Sequence, residues 1–450
     1  MTSKTDTLAH SYATRTVPRY TSYPTAPHFT DAVTDGTVSR WLGALPADMP
    51  LSVYLHVPFC REMCAYCGCH TRVTRRDEPI VDYAGTLIEE IGLIGSAIGR
   101  RQPVSHIHWG GGTPSLMPAD RFRSIVEALN ETFAPTGTLE HAIELDPRTL
   151  SGDLLAVFAD LGVNRASLGV QDFDETVQRG IGRIQPYEQV ASAVERLRAA
   201  GIEAINFDLI YGLPHQTETG FAETAHLAAD LAPDRISLFG YAHVPWFKKH
   251  QRLIDETALP DAEARLRLEH IARATFEARG YKAIGLDHFA LPDDPLAKAA
   301  EAGTMRRNFQ GYTTDTAEAL VGLGASSISR LPQGYAQNAP DSGTWKRRIE
   351  DGRLASVRGR ELTADDQVRG AIIEDLMTGF AADFSALAAC EPEAVPDLRA
   401  RLDRLRRDGL VTVNGNKVAM RPRHRSLVRI VAAEFDAYLN HGTARHSVAV

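Results

Sequence analysis

Six short apolar, β-branched or aromatic runs recur along this chain, separated by longer stretches whose apolar residues fall at helical spacing. The runs are Leu51–Phe59, Val104–Trp109, His141–Leu145, Arg165–Val170, Ala204–Ile210 and Arg235–Phe239. Residues 79–100, 120–133, 186–200 and 217–231 carry the helical pattern. Three helix ends share one grammar, in which Gly162, Gly201 and Gly280 each precede an apolar residue. A glycine there suits a left-handed cap that feeds the next strand. Strand and helix alternating in this way require parallel strands with crossover helices, which makes the fold α/β.

The polar residues choose between a barrel and an open doubly wound sheet. They follow nearly every strand: residues 60–69, Gly110-Gly-Gly-Thr-Pro114, Glu144-Leu-Asp146, Gln171-Asp172, Asp208 and Tyr241-Ala-His243. A barrel mouth gathers chemistry at many strand ends, whereas a doubly wound sheet concentrates it at one switch point. The expectation is an incomplete (β/α)6 parallel barrel with a smaller, mainly helical C-terminal domain. Residues 1–45 are read as an N-terminal extension packing near the active site, 46–290 as the partial barrel and 291–358 as a connection and substrate-side segment. Residues 359–450 are read as a winged-helix-like unit. Its start is Thr363-Ala-Asp-Asp, and its hairpin is Val411-Thr-Val, Asn414-Gly415 and Lys417-Val-Ala-Met.

Four of the five cysteines lie together, Cys60, Cys64, Cys67 and Cys69, directly after the first strand. Cys390 stands alone in an alanine-rich helical stretch and reads as a packed core residue. An odd cysteine count without an export signal argues against a disulfide framework. A structural zinc site draws two cysteine pairs from separate segments, and no second pair is present. Cys60-x3-Cys64-x2-Cys67 suits three irons of a cubane cluster, leaving a fourth iron open to a chelating molecule. The glycine run at 110–112 offers backbone N–H groups to an anionic or zwitterionic ligand, and it is neither a dinucleotide fingerprint nor a P-loop.

At 450 residues, with 24% charged and 44% hydrophobic residues, the chain reads as a large globular protein. A net charge of −8 disfavours a nucleic-acid partner. No apolar run is long enough to cross a membrane. The thiolates point to the reducing cytoplasm.

The cysteine triplet with Tyr66, together with Gly111-Gly-Thr-Pro114 after the second strand, resembles the radical S-adenosylmethionine superfamily. Further segments run in one order: Pro18-Arg-Tyr-Thr-Ser-Tyr-Pro-Thr25, His56-Val-Pro-Phe-Cys60, His108-Trp-Gly, Gly169-Val-Gln-Asp-Phe173, Asp208-Leu-Ile-Tyr-Gly-Leu-Pro214, Asp287-His-Phe-Ala290, Arg307-Asn-Phe-Gln-Gly-Tyr-Thr-Thr314 and Tyr335-Ala-Gln-Asn338. Together they resemble the oxygen-independent coproporphyrinogen III oxidases (coproporphyrinogen dehydrogenases) over nearly the whole chain. The resemblance implies decarboxylation of two propionates of coproporphyrinogen III to vinyl groups, giving protoporphyrinogen IX in haem biosynthesis. It implies a [4Fe-4S] cluster on Cys60, Cys64 and Cys67, and a 5′-deoxyadenosyl radical formed by cleavage of S-adenosylmethionine there.

The resemblance also implies two S-adenosylmethionine molecules. Tyr54, Gly111 and Glu144 would contact the cluster-bound one, and Tyr66, Gly112, Thr113, Gln171, Arg183, Asp208, Ala242 and Ile328 the second. Cys69 is read as a catalytic residue, and Arg19, Arg306 and Arg307 as candidates for the substrate's carboxylates. The implied partners are an electron donor and an electron acceptor, with the enzyme a monomer. Two other readings use the same scaffold, a haem-binding or haem-trafficking protein and a radical enzyme that degrades haem. Cys69 and the Arg307–Thr314 segment favour the oxidase.

These readings make the cysteines separable by experiment. Changing Cys60, Cys64 or Cys67 to Ala should remove most cluster iron, whereas Cys69→Ser should keep iron and visible absorption but lose decarboxylation. Iron analysis and absorption spectra check both; iron loss in Cys69→Ser would make it a fourth ligand.

Overall fold

The computed structural model describes residues 11–439. In it the six runs form parallel strands lying side by side in chain order. They are β1 (Leu51–Val57), β2 (Gln102–Gly111), β3 (Phe133–Leu145), β4 (Arg165–Gln171), β5 (Ala204–Tyr211) and β6 (Arg235–Gly240). Helices α1 (Glu78–Ile98), α2 (Ala119–Thr132), α3 (Gly152–Asp160), α4 (Tyr187–Ala199) and α5 (Glu218–Asp230) supply the crossovers. Gly162, Gly201 and Gly280 take φ values of 73°, 83° and 90°, as the helix-end grammar anticipates.

The sheet continues past both ends of the parallel array. Beyond β6 lie the antiparallel β7 (Lys282–Ile284) and β8 (His288–Ala290), with β8 next to β6. On the other side β9 (Ala319–Leu323) pairs with β1 in parallel, and antiparallel β10 (Ile328–Leu331), β11 (Gly334–Asn338) and β12 (Ser356–Glu361) follow. Much of the segment read as a connection is therefore sheet. These strands are short, joined by tight turns and punctuated by Gly322, Gly324 and Gly334, so no crossover helix marks them in the sequence.

In the C-terminal part, Thr363 and Asp366 close a capping box at the start of α6 (Ala364–Gly379). The anticipated hairpin forms from Val411–Asn414 and Lys417–Met420. One apolar core runs from Tyr12 through the sheet to Phe435. The N-terminal residues stitch the parts together, since Tyr20 Oη donates to Asp436 at 3.1 Å and Arg19 Nη2 to the Gly240 carbonyl at 2.9 Å. No helix among the described residues is long and apolar enough to cross a membrane.

Period two along each strand decides where chemistry sits. Leu55, Ile107, Ile143, Leu168, Phe207 and Leu238 are buried in the apolar core. Their neighbours Ser52, His108, Glu144, Ser167, Asp208 and Ser237 face inward and line a cavity of about 650 Å3. Barrel interiors are usually filled by branched apolar side chains. Here small and polar residues leave the interior open.

The lower end of this interior is closed by charge. Arg235 Nε donates to Asp294 Oδ1 at 2.7 Å, Arg165 lies 3.8 Å from the same carboxylate, and Arg165 lies 3.2 Å from Glu140. Asp294→Ala would leave two buried guanidinium groups short of their shared partner. We expect it to cost about 3–5 kcal/mol in urea unfolding. A loss below about 1 kcal/mol, the range of surface pairs, would show that water already screens the cluster.

Candidate active site

The cysteine loop leaves β1 through Phe59–Cys60, which pairs with Arg72–Val73, and is otherwise held from outside. Ala65 N–H donates to the Ile181 carbonyl at 2.9 Å. The carbonyls of Tyr66, Cys67 and Cys69 accept from Gln251 Nε2 at 2.8 Å, His250 Nε2 at 2.7 Å and Lys248 Nζ at 2.8 Å. Cys64 is buried, Cys60 and Cys67 are half-buried and Cys69 is exposed, and Cys390, read from the sequence as a core residue, is exposed as well. Among the described residues no three His, Cys, Asp or Glu side chains converge as on a single ion. Cys60, Cys64 and Cys67 line the wall of one cavity, a spacing that suits one iron per sulfur.

Donors already point at two of these sulfurs. Thr113 Oγ1 donates to Cys60 Sγ at 3.6 Å, and Arg183 Nη1 to Cys64 Sγ at 3.8 Å. Burial pushes the Cys60 thiol up to about 11, while a hydrogen bond from Cys69 is the main cause bringing Cys67 down to about 6. The loop thus offers one readily ionised thiol, Cys67, and one, Cys60, that awaits a metal's charge.

The glycine run serves packing before it serves any ligand. A Cβ at Gly110 would lie 2.8 Å from Glu144 Oε1, one at Gly111 2.6 Å from the His56 ring, and one at Gly112 2.5 Å from the Phe59 carbonyl oxygen. Thr113 N–H donates to that same Phe59 carbonyl at 2.7 Å. The run is therefore a seam between the ends of β1 and β2, and it seats the backbone just before Cys60.

Two carboxylates stand on neighbouring inward rows. Glu144 accepts from Gly111 N–H at 3.1 Å and lies 3.3 Å from His108 Nε2. Burial alone would raise its carboxyl, but His108 and that N–H outweigh it and hold Glu144 below its ordinary value. Asp208 accepts from Ser167 at 3.1 Å and Asn206 at 2.9 Å. Burial, and next the charge of Glu144, push Asp208 up to about 6.

Gln171 sits at φ 68°, a conformation that costs a non-glycine residue energy, and its Oε1 is buried without a hydrogen-bond partner among the described residues. Gln310 Nε2 is buried and likewise lacks a partner. Both line the cavity, so its unanswered groups include an amide acceptor and an amide donor, which suits a polar ligand such as an amino acid group.

Tyr66, Gly111, Gly112, Thr113, Arg183 and Ala242 line the same cavity. Arg183 is buried rather than a surface charge: it reaches Asp146 at 3.2 Å, the Gly169 carbonyl at 2.8 Å and Gln185 at 3.0 Å. Asp146 is shared with Arg148, whose Nη2 donates at 2.7 Å. Arg183 is therefore committed to bracing Cys64 against β4 as much as to meeting a ligand. Tyr54 stands beside the wall, with its hydroxyl 3.0 Å from His56 Nδ1 and its ring stacked on His108. Ile328 opens β10, two strands from β1, with its backbone against Gly322, the neighbour of Tyr54, and it is not among the residues lining the cavity.

Sequence reasoning did not single out Gln310 or the brace Lys248-His250-Gln251. The only signal for the first is its place in the Arg307–Thr314 segment. The second has none, because its acceptors are carbonyls far away in the chain.

Residues 54–228 match the model of the radical SAM superfamily. An oxygen-independent coproporphyrinogen III oxidase of Bradyrhizobium diazoefficiens is 53% identical over 447 residues, covering 98% of this chain and 99% of that protein. One of Paracoccus denitrificans is 46% identical over 96% of each chain. The solved structure of the radical SAM enzyme coproporphyrinogen III oxidase (HemN) from Escherichia coli superposes with a TM-score of 0.88 at 36% identity, over 94% of this chain and 100% of that one. Fold and site thus define a radical SAM enzyme. Within that superfamily the chain belongs to the oxygen-independent coproporphyrinogen III oxidases.

Two substitutions test this geometry. Gly112→Val forces a branched side chain against Phe59, so we expect lower cluster iron as well as weaker S-adenosylmethionine binding, both read on reconstituted protein. Normal iron with weak binding would restore the simpler ligand-cradle reading. The second test is Asp208→Asn. The folded-state carboxyl of Asp208 lies above its unfolded value, so the folded chain holds the proton more tightly and the ionised form costs stability above about pH 6. Asp208→Asn should therefore keep or raise the Tm at pH 8 while weakening S-adenosylmethionine binding about tenfold or more. Wild-type affinity should rise with pH through about 6 and the variant's should not. A drop in Tm with unchanged affinity would make Asp208 a structural residue.

Proposed function

We propose that this enzyme converts coproporphyrinogen III to protoporphyrinogen IX without oxygen. The observation that carries the reading is the placement of Cys60, Cys64 and Cys67 on the wall of one polar cavity, in a chain that belongs to this family along its length. Each propionate R–CH2–CH2–COO− gives R–CH=CH2, CO2, one hydrogen atom and one electron. The hydrogen atom goes to the abstracting radical and the electron to an acceptor. When bound, the [4Fe-4S] cluster and S-adenosylmethionine supply the one-electron cleavage that creates that radical.

The chain's own residues hold and position. Cys60, Cys64 and Cys67 hold three irons, with Thr113 and Arg183 directed at two of the sulfurs. Glu144 and Asp208 accept from ammonium or ribose hydroxyl groups, and Gln171 and Gln310 offer an unanswered amide acceptor and donor. Tyr66, Gly112, Thr113, Gln171, Arg183, Asp208 and Ala242 share the cavity with Glu144 and Gly111, which supports two S-adenosylmethionine molecules side by side. The position of Ile328 adds no support to its assigned contact.

Carboxylate recognition falls to arginines at the cavity's edge. Arg19 lines the main cavity, and Arg306 and Arg307 line an adjoining one of about 440 Å3. The Nε and Nη1 of Arg307 are buried without hydrogen-bond partners among the described residues. Burial would raise the Asp287 carboxyl, but its hydrogen bond with His288 and the charges of Arg307 and Arg19 hold it down at about 2, so a single carboxylate faces these arginines. We take the enzyme to be a cytoplasmic monomer served by an electron donor and a separate acceptor.

The test is anaerobic. Reconstituted protein receives coproporphyrinogen III, S-adenosylmethionine, a reductant and cell extract as a source of acceptor, and products are read by mass. Loss of two CO2 units per substrate is expected. Stoichiometric haem binding without any decarboxylation would assign the chain to haem trafficking instead.

A further inference from the structure

Among the described residues the exposed large apolar side chains are Val73, Ile184, Trp246, Phe247 and Leu253, and all five belong to segments that touch the cysteine loop. Val73 pairs with Cys60 across the short bridge, and Ile184 follows the arginine that reaches Cys64. Trp246, Phe247 and Leu253 flank the brace that caps the carbonyls of Tyr66, Cys67 and Cys69. Phe247 and Leu253 are 73% and 78% exposed, so none of the described residues covers them. An apolar group gathered on one rim, with none elsewhere among the described residues, marks an interaction surface rather than random exposure.

Charge identifies the partner. Residues 70–76 and 246–253 carry Arg72, Arg75, Arg76, Lys248, Lys249 and Arg252, against Asp77, Glu78, Asp255 and Glu256 just beyond them, a cationic excess in a chain whose net charge is −8. Apart from Lys248, which caps the Cys69 carbonyl, these cations are exposed. A small apolar centre ringed by cations suits transient docking of an acidic protein, because complementary charge speeds encounter and sets orientation. Behind this rim the cluster loop is one hydrogen bond away, from His250 to the Cys67 carbonyl at 2.7 Å.

Resting on the cluster-binding reading above, we infer that this rim is the docking surface for an acidic one-electron carrier protein that reduces the cluster. One electron leaves the carrier's reduced centre and enters the cluster. No bond is made and no proton moves, and the carrier departs oxidised by one electron.

The test uses the full-length chain and a purified acidic flavodoxin as the probe. Two variants, Arg75→Glu/Lys249→Glu and Phe247→Ser/Leu253→Ser, are compared with wild type. Flavodoxin affinity is measured by titration, with and without cluster. Cluster reduction is followed as loss of visible absorption after mixing with reduced flavodoxin or with dithionite. Both variants should bind flavodoxin about tenfold or more weakly and be reduced by it correspondingly slowly. Wild-type affinity should fall with salt, and more steeply than that of the charge variant. Iron content and reduction by dithionite should be unchanged. Unaltered flavodoxin affinity and rate would overturn the inference, as would equal slowing with both reductants, or self-association of wild type through this rim. A chain that bound flavodoxin here yet took up no iron would overturn the functional reading and not the docking surface.

Discussion

Three sulfurs must be held in fixed positions by a ten-residue stretch, residues 60–69, that has almost no regular structure of its own, and the rest of the site follows from how that is done. Backbone groups in such a stretch need partners, and here many come from distant segments. Ile181 receives the Ala65 amide, while Gln251, His250 and Lys248 cap three successive parts of the loop. Arg183 ties Cys64 to Asp146 and Gly169, so the loop is referred to the ends of β3 and β4. The glycine run lets β2 approach closely enough for Thr113 to reach both the Phe59 carbonyl and Cys60.

The second constraint is the open interior. Branched apolar residues on the inward rows would have made a tighter barrel, but Ser167, Asn206, Asp208 and Ser237 leave room and polarity for ligands. The arrangement carries a cost in stability. Asp208 is held near a second carboxylate in a buried setting, and Gln171 keeps a strained backbone and an unanswered carbonyl oxygen. Strain and unsatisfied groups of this kind are concentrated where ligands belong. Below them, Arg235, Arg165, Glu140 and Asp294 close the barrel with paired charge, which keeps the lower end polar without leaving an isolated ion.

Much of this was legible before any coordinates. The strand–helix alternation and the capping glycines located six of the seven parallel strands, because burial in a parallel sheet writes itself as apolar runs. Cysteine spacing located the loop, since few chemistries need three thiols so close together. What was hidden depended on long-range partners. The strands from Ala319 to Glu361 are too short and turn-rich to show a period, and β9 is recognisable only once it lies beside β1. Gly112 was legible as a close approach but not as one to Phe59, because a glycine does not say what comes near it. Arg183 was legible as a ligand contact but not as a brace, and only the fold shows it buried between Cys64 and Asp146.

The central claim is that three cysteines hold a four-iron cluster and leave one iron for a small chelating ligand. Mössbauer spectroscopy of 57Fe-reconstituted protein, before and after adding S-adenosylmethionine, tests it most directly. The account predicts that one iron in four changes its signal on addition while the other three keep thiolate-like parameters. Four irons that stay alike and ignore S-adenosylmethionine would contradict it.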